Sequence, residues 1–257
     1  MLSGGVLNAR QLSLLDIINE SDYASIRDLA VRTKVSEATI RRDLDELSNN
    51  GYIGRVHGGA VKLSSTSYER FHSEKMQIMT DEKRRIARAA AQLVHQGDSI
   101  FLDSGSTTLF IANELTEKKD LTIVTDNMDV AYSVKFDPST SVILTGGLCR
   151  RDYNVVIGAL AEEAIKRFRV DIAFAACDAV DPRTGVYNVN YLEIGVKREI
   201  VKCGKKTVLV ADNTKFGSCA LAFVCPISDI DCIITDSGLS KECIQEITDS
   251  NVELMLV

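Results

Sequence analysis

The sequence predicts an α/β protein of two domains: a small N-terminal helical domain completed by a β-hairpin, and a larger domain built on a mainly parallel sheet. Three observations predict this fold. Apolar residues recur at helical spacing in the first 49 residues, and a short glycine turn follows. From residue 81 onward, short apolar β-rich runs alternate with helical segments. Finally, 257 residues with 45% hydrophobic content are enough for two cores.

Three helices are predicted in the N-terminal segment. The first spans about Asn8 to Glu20. The second begins at Ser25, where Asp28 three residues on is typical of a capped, acidic first turn. The third begins at Ser36. We therefore expect a compact three-helix arrangement.

The third helix has an inward and an outward face. Ile40, Leu44 and Leu47 follow the spacing of an apolar stripe. At 100° per residue the opposite face carries hydroxyl and guanidinium groups, which suit contacts to bases and phosphates in a major groove. The residues on or flanking that outward face are Ala38, Thr39, Arg41 and Arg42.

A β-hairpin is predicted after the third helix. Residues 52–57 form one strand, Gly58 and Gly59 the turn, and residues 60–62 the returning strand. This hairpin would be the wing of a winged helix-turn-helix, directing Arg55 and His57 toward a duplex backbone.

Charge alone does not decide between DNA binding and an inert helical bundle. The whole chain has a net charge of -6, and residues 1–62 hold eight Lys/Arg and eight Asp/Glu. The segment is therefore neutral. The distribution favours DNA, because Arg41, Arg42 and Arg55 can share one face. The acids Asp43, Asp45 and Glu46 lie further along the third helix.

The N-terminal motifs resemble those of the DeoR family of bacterial transcription regulators. They are Arg10-Gln11, Ser36-Glu-Ala-Thr-Ile-Arg-Arg-Asp-Leu44 and Arg55-Val-His-Gly-Gly-Ala-Val61. The resemblance implies a winged helix-turn-helix with Thr39, Arg41 and Arg42 in its DNA-reading helix. The expected DNA-binding residues are Ser36, Ala38, Thr39, Arg41, Arg42, Arg55 and His57.

A polar, serine-rich stretch separates the two domains. We expect a winged helix-turn-helix domain at 1–62, a linker at 63–73 and a second domain at 74–257. In the second domain the alternation of strands and helices predicts a mainly parallel sheet covered on both faces. Ligands in such sheets bind beyond the carboxyl ends of the strands.

The first strand end has the features of a phosphate site. Strand 99–102 is followed by Asp103, Ser104, Gly105, Ser106, Thr107 and Thr108, and then directly by a helix. Glycine permits close approach, hydroxyls and amides donate, and a helix N-terminus favours an anion. The loop matches neither nucleotide-binding glycine motif. An ordinary capped turn is an equally good interpretation of this loop alone.

Other strand ends offer polar groups suited to a polyol. They carry Thr125, Asp126, Gly146, Gly147, Asp178, Asp212 and Lys215. Glu193 and Lys197 share a helix face four residues apart. They form either a solvent-exposed ion pair, which is the commoner case, or an acid and a cation at the site.

The second domain also resembles the DeoR family, whose effector domain is similar in fold to ribose-5-phosphate isomerase. The resemblance implies that residues 103–108 hold a sugar phosphate and that the strand-end residues above line the pocket. In the family a Gly-x-x-Gly follows the strand ending near Phe174, and here Ala176 and Ala179 stand at the glycine positions. Their methyl groups are expected to narrow the approach to a ligand.

Three functions follow, of which the first is preferred. One is a DNA-binding regulator, usually a repressor in this family, whose binding to double-stranded operator DNA responds to a phosphorylated sugar. A second is a sugar-phosphate isomerase with a DNA-binding appendage, since Asp178, Asp181 and Glu193 are of the residue types that shuttle protons. The third is an effector-independent DNA-binding oligomer.

The remaining expectations concern location, assembly and cofactors. Seven scattered cysteines without a C-x-x-C pair fit reduced thiols, and no signal peptide or membrane span is predicted, so we expect a cytoplasmic protein with no membrane contact. Two-fold operators imply a homo-oligomer, at least a dimer. No cofactor and no metal are expected.

Overall fold

The structure is a computed structural model that describes residues 8–21, 23–49, 52–62, 69 and 71–257. Internal contacts divide the chain into two compact units, Met1–Arg70 and Phe71–Val257. The linker expected at 63–73 lies mostly outside the described residues. Its last three residues, Phe71 to Ser73, belong to the second unit.

The first unit contains three helices and a small antiparallel sheet in the order β1-β3-β2. Strand β1 was not foreseen, because its three residues fill the junction between two helices and show no alternation of their own. The elements are α1 (Ala9–Ser21), β1 (Tyr23–Ser25), α2 (Ile26–Thr33), α3 (Glu37–Asn49), β2 (Ile53–Val56) and β3 (Gly59–Lys62).

The predicted inward stripe of the third helix is confirmed. Ile40, Leu44 and Leu47 are fully buried, in one apolar cluster with residues of α1, α2 and the sheet. The predicted cap of α2 is also confirmed: the Ser25 hydroxyl accepts a hydrogen bond from the Asp28 amide at 3.1 Å. The outward face of α3 is fixed by this packing.

The hairpin turn depends on its two glycines. Gly58 has φ +81°, in the left-handed region that side chains disfavour. At Gly59 a Cβ would lie 2.4 Å from the Ala24 carbonyl oxygen, because β1 and β3 pair closely there. The second glycine therefore allows the third strand of the wing sheet to form.

The second unit is a layered α/β structure. Its described helices are α4 (His72–Lys75), α5 (Thr80–Gln92), α6 (Ser106–Glu114), α7 (Met128–Tyr132), α8 (Ala159–Ile165), α9 (Ile194–Cys203) and α10 (Lys241–Asp249). Its described strands are β4 (Ser99–Leu102), β5 (Thr122–Thr125), β6 (Ser141–Leu144), β7 (Leu148–Arg150), β8 (Val155–Ile157), β9 (Val170–Ala175), β10 (Ala179–Asp181), β11 (Gly185–Asn188), β12 (Gly204–Val210), β13 (Ala222–Cys225), β14 (Cys232–Thr235) and β15 (Glu253–Leu256).

Seven of these strands form one sheet in the order β15-β14-β12-β9-β4-β5-β6, and every pairing in it is parallel. Apolar clusters cover both faces, so Ile100 and Leu102 pack with α5 and α6 while Phe101 packs with α8 and α9. The predicted doubly covered, mainly parallel sheet is confirmed. Strand order reverses between β4 and β9, where ligands of such sheets bind.

The sequence did not predict the smaller elements. Strands β10, β11 and β13 form an antiparallel sheet, β7 and β8 form a hairpin, and α4 is a single turn. Most of these elements span only three or four residues, too few for a periodic pattern to stand out. Across the described ranges, no helix is both long enough and apolar enough to cross a membrane.

Candidate functional site

The outward face of α3 is the candidate DNA-binding surface. Ala38, Arg41 and Arg42 are exposed on it, and Arg41 is paired with Glu37 one turn back at 3.2 Å. The Ser36 hydroxyl accepts the Thr39 amide at 3.2 Å and lies 3.0 Å from the Thr39 hydroxyl, so it caps the helix. The described residues give Arg42 no ion pair, which leaves its guanidinium available to a duplex.

The acidic residues of α3 are engaged by other side chains. Asp43 is buried and held by two hydrogen bonds from Arg10, Nε to Oδ2 at 2.5 Å and Nη2 to Oδ1 at 2.9 Å. Glu46 accepts a hydrogen bond from the side-chain amide of Gln11 at 2.8 Å. The bidentate Arg10 contact compensates the negative charge that would oppose a DNA phosphate.

Arg55, which was expected to face a duplex backbone, has partners within the first unit. Its guanidinium donates to Asp45 of α3 at 3.0 Å and to the Gly59 carbonyl at 2.9 Å, and its side chain is only 22% exposed. Arg55 therefore ties the hairpin to α3 within this unit. His57 is exposed at the turn.

Asp103 occupies the centre of the second candidate site, at the carboxyl end of β4. Its Oδ2 accepts the Ala176 amide at 2.7 Å and the Lys197 ammonium at 2.8 Å, and its Oδ1 accepts the Ser104 amide at 2.8 Å. Asp103 and Lys197 are both buried. These bonds join β4, β9 and α9 at the point where strand order reverses.

Glu193 and Lys197 are not the solvent-exposed pair that was the commoner expectation. Both are buried, and each has another partner. Lys197 pairs with Asp103. Glu193 is bonded by Arg150 and accepts a hydrogen bond from the side-chain amide of Asn188 at 2.8 Å. Burial lowers the pKa of Lys197, but the charges of the surrounding acids outweigh it and raise that pKa, so the ammonium stays charged.

Asp126, at the end of β5, is the one carboxyl in this region whose oxygens are both buried without a hydrogen bond in the described structure. Its pKa is raised well above its usual range, first by burial and then by the charge of Asp103. A carboxyl with unused hydrogen-bonding capacity is therefore held beside Asp103 and Lys197.

The N-terminus of α6 follows the Asp103 loop. Thr108 donates to the Asp103 carbonyl at 2.6 Å and to the Gly105 carbonyl at 2.9 Å, so its hydroxyl is used by the loop itself. Ser106 and Thr107 are buried residues whose hydroxyls make no hydrogen bond among the described residues. Two unused hydroxyls at a nine-residue helix's N-terminus fit an anion.

Asp178, just beyond β9, forms the other side of the site. Its Oδ1 accepts the Lys75 ammonium at 2.8 Å and its Oδ2 accepts the Val189 amide at 3.0 Å. Burial raises the pKa of a carboxyl, but the charges of Lys75 and Lys215 hold the pKa of Asp178 well below its usual range. Lys215 therefore lies in the electrostatic neighbourhood of Asp178.

The methyl group of Ala176 faces the Asp103 loop. A Cβ added at Gly105 would lie 2.9 Å from the Ala176 Cβ, so these two residues are in close approach. Ala179 is buried in β10. Of the two alanines in place of family glycines, Ala176 is the one placed against the candidate phosphate loop.

Three other predicted site residues have structural partners. The Thr125 hydroxyl donates to the Leu102 carbonyl at 2.6 Å and accepts the Asn127 amide at 3.0 Å. Asp212 accepts the Thr214 amide at 3.2 Å and its hydroxyl. Gly147 lies against the Ile157 carbonyl, where a Cβ would be 2.5 Å away, whereas a Cβ at Gly146 would meet open space.

Sequence reasoning missed three residues that hold this site together. They are Lys75, Arg150 and Asn188, which contact Asp178 or Glu193. Lys75 precedes the first strand of the sheet, and Arg150 and Asn188 lie in short unpredicted strands. The described residues contain no group of three or more His, Cys, Asp or Glu placed to hold a metal ion.

Two family models match the chain. A DeoR-like helix-turn-helix domain covers residues 10–66, and the DeoR C terminal sensor domain covers residues 78–237.

Similar curated proteins include the glycerol-3-phosphate regulon repressor of Escherichia coli, 32% identical over 247 residues that cover 96% of this chain and 98% of that protein. The HTH-type transcriptional regulator GlpR of Haloferax volcanii is 32% identical over 96% of both chains. Among solved structures, ribose 5-phosphate isomerase A from Methanocaldococcus jannaschii is similar, with 17% identity, a TM-score of 0.39, and coverage of 54% of this chain and 55% of that one.

The two family models together cover both compact units, and the curated relatives extend across nearly the full length at more than 30% identity. The chain belongs to the DeoR family of HTH-type transcriptional regulators.

Proposed function

We propose that this protein is a transcriptional repressor whose binding to operator DNA is modulated by a phosphorylated sugar or polyol bound at the switch point of its sheet. The observation that carries the effector site is the N-terminus of α6. Two hydroxyls that make no hydrogen bond to any described residue, those of Ser106 and Thr107, lie there next to the loop of Asp103, which pairs with the charged Lys197. Together these groups suit a phosphate with a hydroxylated carbon attached.

The first effector to test is glycerol 3-phosphate. A relative 32% identical over nearly its full length is named for the glycerol-3-phosphate regulon. The Ala176 methyl group against Gly105 favours a small ligand of this kind, because it narrows the space beside the loop.

We infer that the second unit does not catalyse isomerisation. A proton shuttle needs a carboxylate whose pKa lies near the working pH. Lys75 and Lys215 hold the pKa of Asp178 far below that range, and Glu193 is bonded by Arg150 and Asn188. Both carboxylates are therefore held by fixed partners, which supports ligand binding without turnover.

On the DNA side, we propose that α3 lies in the major groove and that Thr39, Arg41 and Arg42 reach the bases and phosphates, with His57 of the wing near the backbone. Arg55 would support the wing through Asp45 and Gly59. A two-fold operator requires at least a dimer, and a cytoplasmic location gives the protein access to DNA.

The decisive experiment first selects an operator from random duplexes with the full-length protein. The melting temperature is then measured with glycerol 3-phosphate, ribose 5-phosphate and fructose 1-phosphate, with each unphosphorylated parent as the control. We expect a phosphorylated compound alone to raise the melting temperature and to weaken operator binding at least fivefold. No selected sequence would contradict the regulator, and turnover of the bound compound would contradict the non-enzymatic assignment.

Two variants locate the sites. Thr107→Val removes a hydroxyl with little change of shape, so we expect loss of the effector response with operator affinity retained. Thr116→Val is the matched control. Thr116 lies just after the C-terminal end of the same helix, and its hydroxyl donates to the Asn113 carbonyl, away from the candidate phosphate loop. Arg42→Ala should abolish selective operator binding, and an unchanged footprint would exclude the recognition-helix assignment.

A further inference from the structure

A short segment at the start of the second unit reaches into the candidate effector site. We call residues Phe71–Lys75, which include the single-turn helix α4, the clasp. Its last residue, Lys75, donates to the carboxylate of Asp178, whose side chain is 10% exposed, at 2.8 Å. Its first residue is where the second unit begins in the chain, and its first three residues are the last three of the expected linker from the DNA-binding domain.

Several contacts hold the clasp in place. The Lys83 ammonium donates to the Lys75 carbonyl at 2.6 Å, and within the clasp itself the Phe71 amide donates to the Glu74 carboxylate at 3.1 Å. The His72 Nε2 lies 3.1 Å from Asp129 Oδ2. One helical turn has no stability of its own in water, so the clasp depends on these contacts.

A second route joins the clasp to the effector site through aromatic rings. Phe71 packs against Tyr153, with ring centroids 5.7 Å apart. The Arg150 guanidinium lies 4.0 Å from the centre of that Tyr153 ring and also bonds the buried Glu193. Both ends of the clasp therefore connect to acids of the candidate site, Asp178 at one end and Glu193 at the other.

We propose that the clasp is the element through which effector binding changes operator affinity, and that the Lys75–Asp178 ion pair is its switch. The proposal rests on the proposed function. An effector whose hydroxyls donate to Asp178 weakens this ion pair. The clasp then loses one of its polar anchors, and the linker that leads to the DNA-binding domain is released at its downstream end.

The proposal predicts that breaking the ion pair imitates the effector. With no small molecule added, Lys75→Met and Asp178→Asn should each weaken binding to the selected operator at least fivefold. The double variant should bind the operator no more weakly than the single variant of lower affinity, because all three variants lack the same interaction. Lys75→Arg should retain most of the wild-type operator affinity, since it keeps the positive charge.

The matched control is Lys205→Met. Lys205 pairs with Asp171 at 2.7 Å, at the amino end of the sheet, so this variant removes a lysine–aspartate pair away from the effector site. Its operator affinity should equal that of the wild type. A Lys75→Met protein with wild-type melting temperature and wild-type operator affinity would overturn the proposal.

A second measurement separates the clasp from the DNA-binding function. Hydrogen exchange at the Met76 amide, which donates to the His72 carbonyl at 3.0 Å, reports on the helical turn itself. We expect at least tenfold faster exchange in Asp178→Asn. Unchanged exchange would overturn the clasp even if the wild type binds its operator, whereas a wild type that selects no operator would contradict the proposed function only.

Discussion

Asp126 carries a buried carboxyl whose ionisation is unfavourable in the folded protein. Both of its oxygens lack a hydrogen bond in the described structure, and burial followed by the charge of Asp103 raises its pKa. At pH values between an ordinary carboxyl pKa near 4 and the raised pKa, the folded protein therefore holds a proton at Asp126 that the unfolded chain has released. This linkage stabilises the fold at low pH, and the stabilisation is lost as pH rises toward the raised pKa.

Replacing Asp126 by Asn should remove that pH dependence. The amide stays neutral, so we expect the variant to gain melting temperature relative to the wild type as pH rises from 5 toward 9, with the two proteins closest at pH 5. Thermal unfolding across this range measures the difference. A constant difference at all pH values would show that Asp126 does not carry the proton.

The close approach of Gly105 to Ala176 gives a second prediction at this scale. A methyl group added at Gly105 would lie 2.9 Å from the Ala176 Cβ, so Gly105→Ala should destabilise the second unit by about 1–3 kcal/mol. The same change in an Ala176→Gly background should cost clearly less, because the opposing methyl is gone. Urea unfolding of the four proteins measures this coupling, and strictly additive effects would refute the contact.

At the residue scale, the sequence predicted which residues lie at the candidate site better than it predicted which side chains they bond to. Asp103, Asp178 and Lys197 were expected at the site because they follow strands or face one helix side, and they do surround the switch point. The Lys75–Asp178 pair was not predictable, since the two residues are 103 positions apart. Side chains are brought together by topology, which local patterns do not encode.

At the scale of elements, the wing depends on two glycines for different reasons. Gly59 cannot carry a side chain without meeting the Ala24 carbonyl, whereas Gly58 faces open space but has φ +81°. We expect Gly59→Ala to separate β1 from β3 and to lower the stability of the first unit by about 1–3 kcal/mol. Gly58→Ala should cost only the backbone strain of about 1–2 kcal/mol.

Hydrogen exchange distinguishes the two wing variants. The Ala24–Ala60 pairing lies where β1 meets β3, so only Gly59→Ala should speed exchange across that pairing beyond the global loss of stability. Equal exchange profiles in both variants would mean that the third strand does not depend on the close approach.

Elements were predictable where burial is continuous. Strand β4 was predicted with its observed bounds because it is a run of four residues, three of them buried, between turn signals. Strands β10, β11 and β13 were not, because each spans only three or four residues and β11 pairs with β13 across 34 or more positions of sequence. The same is true of β1, whose partner β3 lies 34 or more residues further along the chain.

At the scale of the whole molecule, net charge and DNA binding have to be considered separately. The chain carries 30 Lys/Arg against 36 Asp/Glu, but residues 1–62 are neutral and two acids of α3 are paired with Arg10 and Arg55. The six excess negative charges therefore belong to residues 63–257. A protein of net charge -6 can then hold DNA by local contacts alone.

The salt dependence of operator binding tests this separation of charge. Each phosphate neutralised by a side chain releases counterions, so affinity should fall with salt in spite of the net negative charge, with a log–log slope of roughly -0.9 per contact. Arg42→Met should reduce that slope by about 1, because Arg42 is exposed on the outward face of α3. Arg55→Met should leave the slope nearly unchanged and lower thermal stability instead, because Arg55 is bonded to Asp45 and Gly59. Fluorescence anisotropy titrations with the selected operator at 50–300 mM salt provide the slopes. If the two variants lose the same slope, Arg55 leaves its internal partners to contact the duplex, and the division between reading and supporting arginines is wrong.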